Sequence, residues 1–282
     1  KENTNLEDIT SGSNSSGTGN SNGNNGNNGN NNGNNDENGQ DSGESIKLDF
    51  ETLDKLDNKK LSWWIKLYGE GKTPGISSTA KKLIEENDGI YLGDTSEKVI
   101  YLTFDEGYEN GYTPMILDAL KNNDVKAVFF VTWPYVKKNK ELVERMFEEG
   151  HIVGSHTVYH KILPEVDNKT LEEELCGFEE KFRSMFGKRI KYFRPPEGAY
   201  SEKVLAAAKQ LGYKTVFWSF AYRDFDVNNQ KGADYAHKMV MDNLHNGAVI
   251  LLHAVSKDNA EALDRIIKDI KAQGYEIRLL DL

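Results

Sequence analysis

From Lys98 to the end of the chain, short apolar runs alternate with segments of helical periodicity. The apolar runs are rich in β-branched and aromatic residues, and they predict strands at Val99–Phe104, Ala127–Thr132, Ile152–Ser155, Tyr192–Arg194, Thr215–Phe220, Val249–His253 and Tyr275–Leu280. Amphipathic patterns between these runs predict helices at Thr113–Lys121, Lys138–Glu149, Thr170–Phe186, Glu202–Leu211, Asp234–Asn243 and Ala260–Gln273. Repeated strand–helix units predict an α/β fold with a parallel sheet.

The fold class can be narrowed because the chain has no dinucleotide-binding glycine fingerprint. A Rossmann sheet is therefore disfavoured, and we predict a distorted or incomplete (β/α) barrel of about seven parallel strands. Active sites of such barrels lie at the rim formed by the C-terminal ends of the strands. We expect the functional site of this chain at that rim.

Composition divides the chain into three parts. Residues 1–45 are almost entirely Asn, Gly, Ser and acidic residues, which predicts a flexible polar tether. Residues 46–95 regain apolar residues, and we interpret them as an N-terminal extension packed on the barrel. Residues 96–282 carry the alternating pattern and are long enough for one sizeable core. The tether suits either an exported protein held at a cell surface or a linker between domains, and we favour export.

Within the extension, the apolar patch Leu61–Ile65 contains Trp63 and Trp64, and Ser77–Glu86 is a predicted capped helix. The two tryptophans are expected to anchor the extension on the core rather than to line a sugar cleft. Since the chain has neither an initiator Met nor a signal peptide, we expect Lys1 to be the start of a processed or trimmed product.

The charge balance limits the classes of partner. With 35 Lys and Arg against 45 Asp and Glu, the chain has a formal net charge of -10 and a pI near 5.2, which argues against nucleic acid or an anionic membrane surface. No apolar run is long enough to span a bilayer. The only cysteine, Cys176, lies in a predicted helix, so we expect a small core residue and no disulfide within the chain.

Reactive or cationic side chains stand at the ends of four predicted strands, and a further pair follows the strand Thr215–Phe220 a few residues later. These positions are Asp105-Glu106, Ser155–His160, Arg194–Gly198, Arg223-Asp224 and His253. In a parallel barrel all of these ends converge on one face, the face that carries active sites. Five such groups on one rim favour a functional site over solvated surface residues without a function.

His156 and His160 have the spacing of a metal-binding pair. If Thr157 starts a helical turn, both imidazoles share one face and can bind one cation. The chain has only six histidines, so two of them directly after a strand favour ligation over a solvated pair. A third ligand would come from Glu106 or Asp105, and two histidines with one carboxylate and open positions form the pattern of hydrolytic metal sites.

Two further strand ends carry groups whose roles the residues alone leave open. Arg194 stands before two prolines and Gly198, where a guanidinium can orient a carboxylate or only stabilise the rim by a salt bridge. His253 follows a wholly apolar run and is either a core histidine or an acid directed into the cleft. Asp224 on a neighbouring loop favours the acid, because a carboxylate raises the pKa of histidine.

Taken in order, these motifs resemble those of the polysaccharide deacetylases, carbohydrate esterase family four. The resemblance covers about residues 60–282 and rests on Thr103–Gly107, His156–His160, Arg194–Gly198, Asp224 and Leu251–His253. Further segments are similar to one subgroup, the delta-lactam-biosynthetic de-N-acetylases that act on muramic acid of spore cortex peptidoglycan. These segments are Trp63-Trp64, Lys72–Gly75, Asp105–Tyr112, Phe217–Ser219, Asn228–Gly232 and Ser256–Leu263.

The resemblance implies metal-dependent hydrolysis of N-acetyl groups on peptidoglycan sugars. Asp105 would be the general base, held ionised and oriented by Arg194. His253, charged with help from Asp224, would protonate the leaving amine. The metal would polarise the acetamide carbonyl, and a backbone N–H beside Glu197 would help hold the oxyanion.

The metal ligands that the resemblance implies are His156, His160 and, in third position, Glu106. The family at large has aspartate there and the muramic-acid subgroup often has asparagine, so the longer glutamate would ligate with altered geometry or swing away. The donor set suits zinc, which we expect, as well as cobalt, manganese or nickel. The residues expected to bind the sugar are Trp218, Tyr159, Glu197 and Tyr222.

The partner that the resemblance implies is the glycan strand of peptidoglycan. We expect the protein to be a monomer that is exported beyond the cytoplasmic membrane, with residues 96–282 as its catalytic domain. A membrane tether in the precursor is compatible with this picture. Three alternatives stay open: a deacetylase of N-acetylglucosamine or chitooligosaccharides, a wall-binding module that has lost its metal, and a glycosidase that uses Asp105 with Glu109 or Glu197. The glycosidase explains neither the histidine spacing nor His253, and the binding module leaves the base, arginine and acid without a reason.

Overall fold

The computed structural model describes residues 46–69 and 71–280, and the tether predicted for residues 1–45 lies outside them. The strands are β1 (Leu61–Ser62), β2 (Val99–Glu106), β3 (Val128–Val131), β4 (Ile152–Ser155), β5 (Tyr192–Phe193), β6 (Ala199–Tyr200), β7 (Lys214–Thr215), β8 (Ala248–His253) and β9 (Glu276–Ile277). The helices are α1 (Phe50–Leu53), α2 (Ser78–Glu86), α3 (Thr113–Asn122), α4 (Trp133–Lys138), α5 (Lys140–Glu148), α6 (Asn168–Phe186), α7 (Glu202–Gln210), α8 (Ala233–Met241) and α9 (Lys257–Ala272). Leu163–Glu165 and Pro196–Gly198 are short 3₁₀ helices.

A parallel sheet of seven strands forms the centre of the fold. Its order is β7-β5-β4-β3-β2-β8, and β9 pairs with the start of β2. The sheet curls, because the segment that follows β7 reaches β8 through a parallel bridge between Phe220 and Ile250. Another parallel bridge joins Ile90 to Val216. Isolated bridges take the place of a regular ladder here, which confirms the predicted distorted or incomplete (β/α) barrel.

Side-chain alternation along β2 separates two parts of the core. Leu102 and Phe104 belong to the large cluster that also contains the buried faces of the helices, whereas Tyr101 belongs to a second cluster on the other face of the sheet. Successive residues of a strand point to opposite faces. Asp105 therefore continues the row of Tyr101, and Glu106 continues the row of Leu102 and Phe104.

The segment before the sheet is attached through β1, which pairs antiparallel with β6. Trp63 is 8 % exposed, stacks on the ring of Phe217 at 4.3 Å and donates from Nε1 to the carbonyl oxygen of Trp218 over 2.9 Å. Trp64 is 63 % exposed. Trp63 therefore anchors this segment as predicted, and the same prediction is wrong for Trp64.

Three predicted elements differ clearly from the observed ones. The strand predicted at Tyr275–Leu280 is reduced to β9, the two residues Glu276–Ile277. The strand predicted at Thr215–Phe220 ends after β7, because the following backbone N–H groups donate to Ile90 and Val249 rather than to one partner strand. The helix predicted at Lys138–Glu149 corresponds to α5, and it is preceded by the short helix α4, which was not predicted. The boundary is Asn139, whose backbone is not helical at φ -127° and ψ 45°.

Cys176 lies on α6, where it is buried and free, as predicted. Burial raises the pKa of its thiol to about 12, so the group is a neutral core side chain. Among residues 46–69 and 71–280, no helix combines the length and the apolar character that crossing a membrane requires.

Candidate active site

Asp105, near the end of β2, is bound to Arg194, which directly follows β5. Arg194 Nη1 donates to Asp105 Oδ1 over 2.7 Å, and the guanidinium is completely buried. Three further guanidinium N–H groups donate to Thr103 Oγ1 at 2.9 Å, to Phe217 O at 3.2 Å and to Val216 O at 3.0 Å. Burial opposes the ionisation of Asp105, but the surrounding charges, that of Arg194 foremost, and the hydrogen bond from Arg194 together outweigh it and lower the pKa of this carboxyl group. Asp105 is therefore an ionised carboxylate in a fixed orientation.

A second charged pair lies at the end of the neighbouring strand. The register of β8 against β2 places His253 opposite Asp105. His253 Nδ1 lies 2.7 Å from Asp224 Oδ1, and the His253 backbone N–H donates to Asp224 Oδ2 over 2.7 Å. Burial opposes the charged imidazole, but the charge and hydrogen bond of Asp224 outweigh it and raise the pKa of His253. The predicted acid thus stands beside the predicted base.

His156 and His160 lie side by side, with their ring centroids 4.7 Å apart. His156 Nδ1 is 2.8 Å from the carbonyl oxygen of Arg194, an arrangement in which Nδ1 carries the proton and Nε2 is available as a ligand. His156 Nε2 lies 3.6 Å from Asp105 Oδ2. Burial, against the opposing charge of Asp105, lowers the pKa of His156 to about 4, so the imidazole is neutral at pH 7.

The loop between these histidines is not the helical turn that was predicted, and that expectation is wrong. Thr157 and His160 have φ angles of 69° and 58°, in the left-handed region. Side chains hold this strained backbone in place. The Thr157 N–H donates to Ser155 Oγ over 3.2 Å, and the His160 N–H donates to Thr157 Oγ1 over 2.9 Å. The Tyr159 N–H donates over 2.8 Å to Glu174 Oε2, which belongs to a fully buried side chain on α6.

Glu106 does not join the histidines. Because β2 continues through Glu106, its side chain leaves the sheet on the face opposite to that of Asp105. The carboxyl group is fully buried and accepts a hydrogen bond from Thr113 Oγ1, 3.3 Å from Oε1. Burial, with the charge of Glu109 adding to it, raises the pKa of Glu106 well above its usual range. This placement corrects the expectation that Glu106 is the third metal ligand.

The predicted catalytic groups line one cavity of about 830 Å³. Its walls include Asp105, His156, His160 and His253, while Arg194 and Asp224 contact members of this set from outside the lining. All four predicted sugar-binding residues are also in the walls: Tyr159, Glu197, Trp218 and Tyr222.

One wall depends on a glycine. Gly198 has a φ of 63°, and a Cβ added there would lie 2.8 Å from Trp218 and 2.9 Å from Trp63. Only glycine fits between the two tryptophans. Its neighbour Glu197 is also left-handed, with a φ of 57°, and its side chain is exposed. The Gly198 N–H donates to Pro195 O over 3.1 Å, so this amide is already engaged in the described structure.

The sequence did not single out three residues that the structure brings to the site. Tyr108 lines the cavity and is 53 % exposed; its position directly after the strand-end glycine was the available signal. Glu174 supports the histidine loop, and Asn259 contacts Asp224. The segment Ser256–Leu263 contains Asn259, but neither residue was assigned a role, because Glu174 is 15 residues from Tyr159 and Asn259 is 35 residues from Asp224, and no local pattern marks such contacts.

Comparisons with known proteins agree with this geometry. The sequence profile described as polysaccharide deacetylase matches residues 92–216. The peptidoglycan-N-acetylmuramic acid deacetylase PdaA of Bacillus subtilis is 46% identical over 232 residues, which cover 81% of this chain and 87% of that relative. The chain belongs to the polysaccharide deacetylase family. The resemblance found in the sequence is thereby confirmed.

Two solved structures extend the likeness of this polysaccharide deacetylase to the fold. The structure of B. subtilis PdaA, described as a family 4 carbohydrate esterase, superposes with a TM-score of 0.77 and covers 80% of this chain and 97% of that one. A family 4 carbohydrate esterase from Bacillus anthracis is 42% identical, with a TM-score of 0.68, and covers 80% of this chain and 96% of that one.

Polysaccharide deacetylases of this family depend on a metal ion. Among residues 46–69 and 71–280, no group of three His, Cys, Asp or Glu side chains is arranged to hold one. Two side chains nevertheless suit one cation as ligands. His156 is neutral with its Nδ1 fixed by a carbonyl oxygen, and His160 lies beside it. Two imidazole donors leave coordination positions for water and substrate.

Proposed function

We propose that this polysaccharide deacetylase removes the acetyl group of N-acetylmuramic acid in peptidoglycan. The observation that carries the proposal is the arrangement of two charged pairs at adjacent strand ends: Asp105 held by Arg194, and His253 held by Asp224. An ionised base and a protonated acid facing one cavity are the two proton-transfer groups that amide hydrolysis requires.

The free atoms of each pair define the proton path. Arg194 occupies Oδ1 of Asp105, which leaves Oδ2 to take a proton from the attacking water. The water oxygen adds to the acetamide carbon, and the carbon–nitrogen bond then breaks to give acetate and a sugar amine. Asp224 occupies Nδ1 of His253, so Nε2 is the atom that gives its proton to the departing nitrogen.

His156 and His160 would hold a divalent cation, for which zinc is our first choice and cobalt, manganese and nickel suit the same donors. Such a cation, when bound, polarises the acetamide carbonyl as a Lewis acid. The protein contribution is to keep His156 neutral and its ring fixed through the Arg194 carbonyl oxygen. Arg194 thus serves both the base, through its side chain, and the ligand, through its backbone.

The choice of muramic acid rests on the relatives. The B. subtilis relative named for N-acetylmuramic acid is 46% identical, whereas a Bacillus cereus relative named for N-acetylglucosamine is 34% identical. The partner that follows is the glycan strand of the cell wall, reached by export beyond the cytoplasmic membrane. Tyr159, Trp218 and Tyr222 supply aromatic faces in the cavity for sugar rings, with Glu197 as a polar contact.

The glycosidase alternative finds less support in the structure. Glu109 Oε1 accepts hydrogen bonds from the N–H groups of Gly111 and Thr113, so this carboxylate is engaged at the start of α3. Glu197 does line the cavity with Asp105, but such a pair leaves His253 and Asp224 without a role. If the protein were a wall-binding module without activity, neither the Asp105–Arg194 pair nor the His253–Asp224 pair would have a role.

The test is to incubate the protein with peptidoglycan fragments that carry muramic acid and glucosamine in N-acetylated form, and to follow acetate and fragment masses. We expect acetate release, with the acetyl loss on muramic acid, abolished by chelator and restored by zinc or cobalt. Loss from glucosamine alone would overturn the substrate assignment. Shortened glycan chains without acetate would support a glycosidase, and wall binding without acetate under any metal would support a binding module.

A further inference from the structure

Asn259 is a fully buried polar residue in the first turn of α9, and it contacts the His253–Asp224 pair from behind. Its Nδ2 donates to Asp224 Oδ2 over 2.6 Å and lies 3.3 Å from the carbonyl oxygen of His253. Its Oδ1 accepts a hydrogen bond from the hydroxyl of Tyr222, which lines the cavity. Asn259 therefore links a cavity wall to the carboxylate that holds the acid.

Both oxygens of Asp224 are fixed by this arrangement. Oδ1 faces His253 Nδ1, while Oδ2 accepts from the His253 backbone N–H and from Asn259 Nδ2. Asp224 is only 2 % exposed, so water is a poor substitute for a lost donor. Without the amide of Asn259, the carboxylate has one donor fewer against rotation away from the imidazole.

The loop that carries Asp224 is attached to the same end of α9. Gln230 Nε2 donates to the carbonyl oxygens of Asp224 and Asp226, at 3.0 and 2.9 Å, and Gln230 Oε1 accepts from Ser256 Oγ at 2.8 Å. Asp258 Oδ2 accepts from the N–H groups of Lys231 and Gly232, both at 2.7 Å. Residues 224–232 and the start of α9 thus form one hydrogen-bonded unit behind the acid.

We propose that Asn259 is a positioning residue that acts through Asp224 to hold His253 in the orientation for proton delivery. The inference rests on the proposed function, in which His253 is the acid, and adds a residue and a role to it. The hydroxyl of Tyr222 belongs to the same chain of hydrogen bonds, so Tyr222 offers its ring, and not its hydroxyl, to the cavity.

The groups that face His253 come from three elements: Asp224 from its loop, Asp105 from β2 and Arg194 from the segment after β5. Asn259 touches only the first of them. Removing Asn259 leaves Asp105 and Arg194 as they are, so a change in the titration of His253 reports on the two contacts that Asn259 makes, the shorter one to Asp224 and the longer one to the His253 backbone.

The test compares Asn259→Leu, which removes the amide at similar volume, with Tyr222→Phe, which removes only the hydroxyl. We expect Asn259→Leu to lower kcat roughly 10- to 100-fold with KM within about twofold, and to move the basic limb of the kcat profile to lower pH. Tyr222→Phe should lower kcat and move the basic limb of the kcat profile in the same directions, but by less. Adding Tyr222→Phe to Asn259→Leu should have no further effect.

The matched control is Asn123→Leu, at the residue directly after α3. Asn123 Nδ2 donates to Asp264 Oδ1 over 2.8 Å, which is the same type of amide–carboxylate contact, and Asp264 lies further along α9, away from the acid. Its kcat and pH profile should equal those of the wild type. An Asn259→Leu profile that matches this control would overturn the proposal.

NMR titration of the His253 imidazole measures the coupling between Asn259 and His253 without turnover. The His253 signal is identified by its absence from the spectrum of His253→Gln. A lower midpoint in Asn259→Leu, or in Tyr222→Phe if the first variant does not fold, supports the proposal, and an unchanged midpoint in both overturns it. A wild type that releases no acetate would overturn the proposed function and would leave this titration as a valid test of Asn259.

Discussion

Arg194 donates from Nη1 to Oδ1 of Asp105 over 2.7 Å, with the guanidinium completely buried and the carboxylate 5 % exposed. A buried arginine is costly unless its N–H groups find acceptors, and here the carboxylate, a hydroxyl and two carbonyl oxygens accept from four of its five N–H groups. The pair therefore fixes the charge and the direction of the base before any substrate arrives.

Arg194→Met should be strongly harmful to both folding and turnover. The variant leaves Asp105 buried without its cation, and breaking a buried pair of this kind costs about 3–5 kcal/mol of unfolding free energy. We expect kcat to fall at least about 100-fold, because the base loses its orientation as well. Urea unfolding and acetate release measure the two effects. A variant of near wild-type stability would show that the pair is not a major part of the fold.

Trp63 and Trp64 offer a matched test of anchoring, since they are adjacent and differ in burial. Trp63→Ala removes a ring that stacks on Phe217 and covers Gly198, and we expect a loss of about 3–5 kcal/mol. Trp64→Ala changes an exposed ring and should stay within about 0.5 kcal/mol of the wild type. Equal losses in the two variants, measured by urea unfolding, would contradict the anchoring role of Trp63.

Much of the barrel followed from the sequence, because β2, β3 and β8 are apolar runs whose composition distinguishes them from the helices between them. Two-residue strands such as β1 and β6 could not be predicted, because two residues are too few to show an alternation of apolar and polar positions. The site was predictable where parallel strands end, as for Asp105 and Arg194. The direction of Glu106 was not, because it depends on β2 extending two residues beyond its predicted end, so that neighbours point to opposite faces.

Glu106→Gln tests this correction directly. The buried carboxyl group bonds to Thr113, and burial raises its pKa and so favours its neutral form; a neutral amide of the same shape should therefore leave zinc affinity and kcat within about threefold of the wild type. Glu106→Ala should destabilise the fold by about 1–3 kcal/mol while the metal affinity is retained. Calorimetric titration with zinc measures the affinity. A large loss of zinc binding in Glu106→Gln would restore Glu106 as a ligand.

His151 predicts a pH dependence of stability that is separate from the site. Its Nδ1 accepts the Ala127 N–H over 3.1 Å, and burial lowers its pKa to about 4 from an ordinary value of 6.5. Between these pH values the unfolded chain binds a proton that the folded chain does not. The stabilisation is therefore complete above pH 6.5 and falls as the pH approaches 4, by up to about 3 kcal/mol.

The variant His151→Asn keeps an acceptor for the Ala127 N–H and does not titrate. Urea unfolding at pH 7 and at pH 4.5 should therefore show a smaller loss of stability on acidification than in the wild type. Since other groups titrate equally in both proteins, the difference between them isolates His151. Identical losses would mean that His151 keeps its ordinary pKa in the folded state.

The most direct test of the account measures fragment masses and bound metal on the same samples of wild type, Asp105→Asn and His156→Ala. We predict that the wild type deacetylates muramic acid, that Asp105→Asn keeps its metal but loses turnover, and that His156→Ala loses both. Loss of metal in Asp105→Asn would contradict the assignment of Asp105 as base and of the histidines as the metal site.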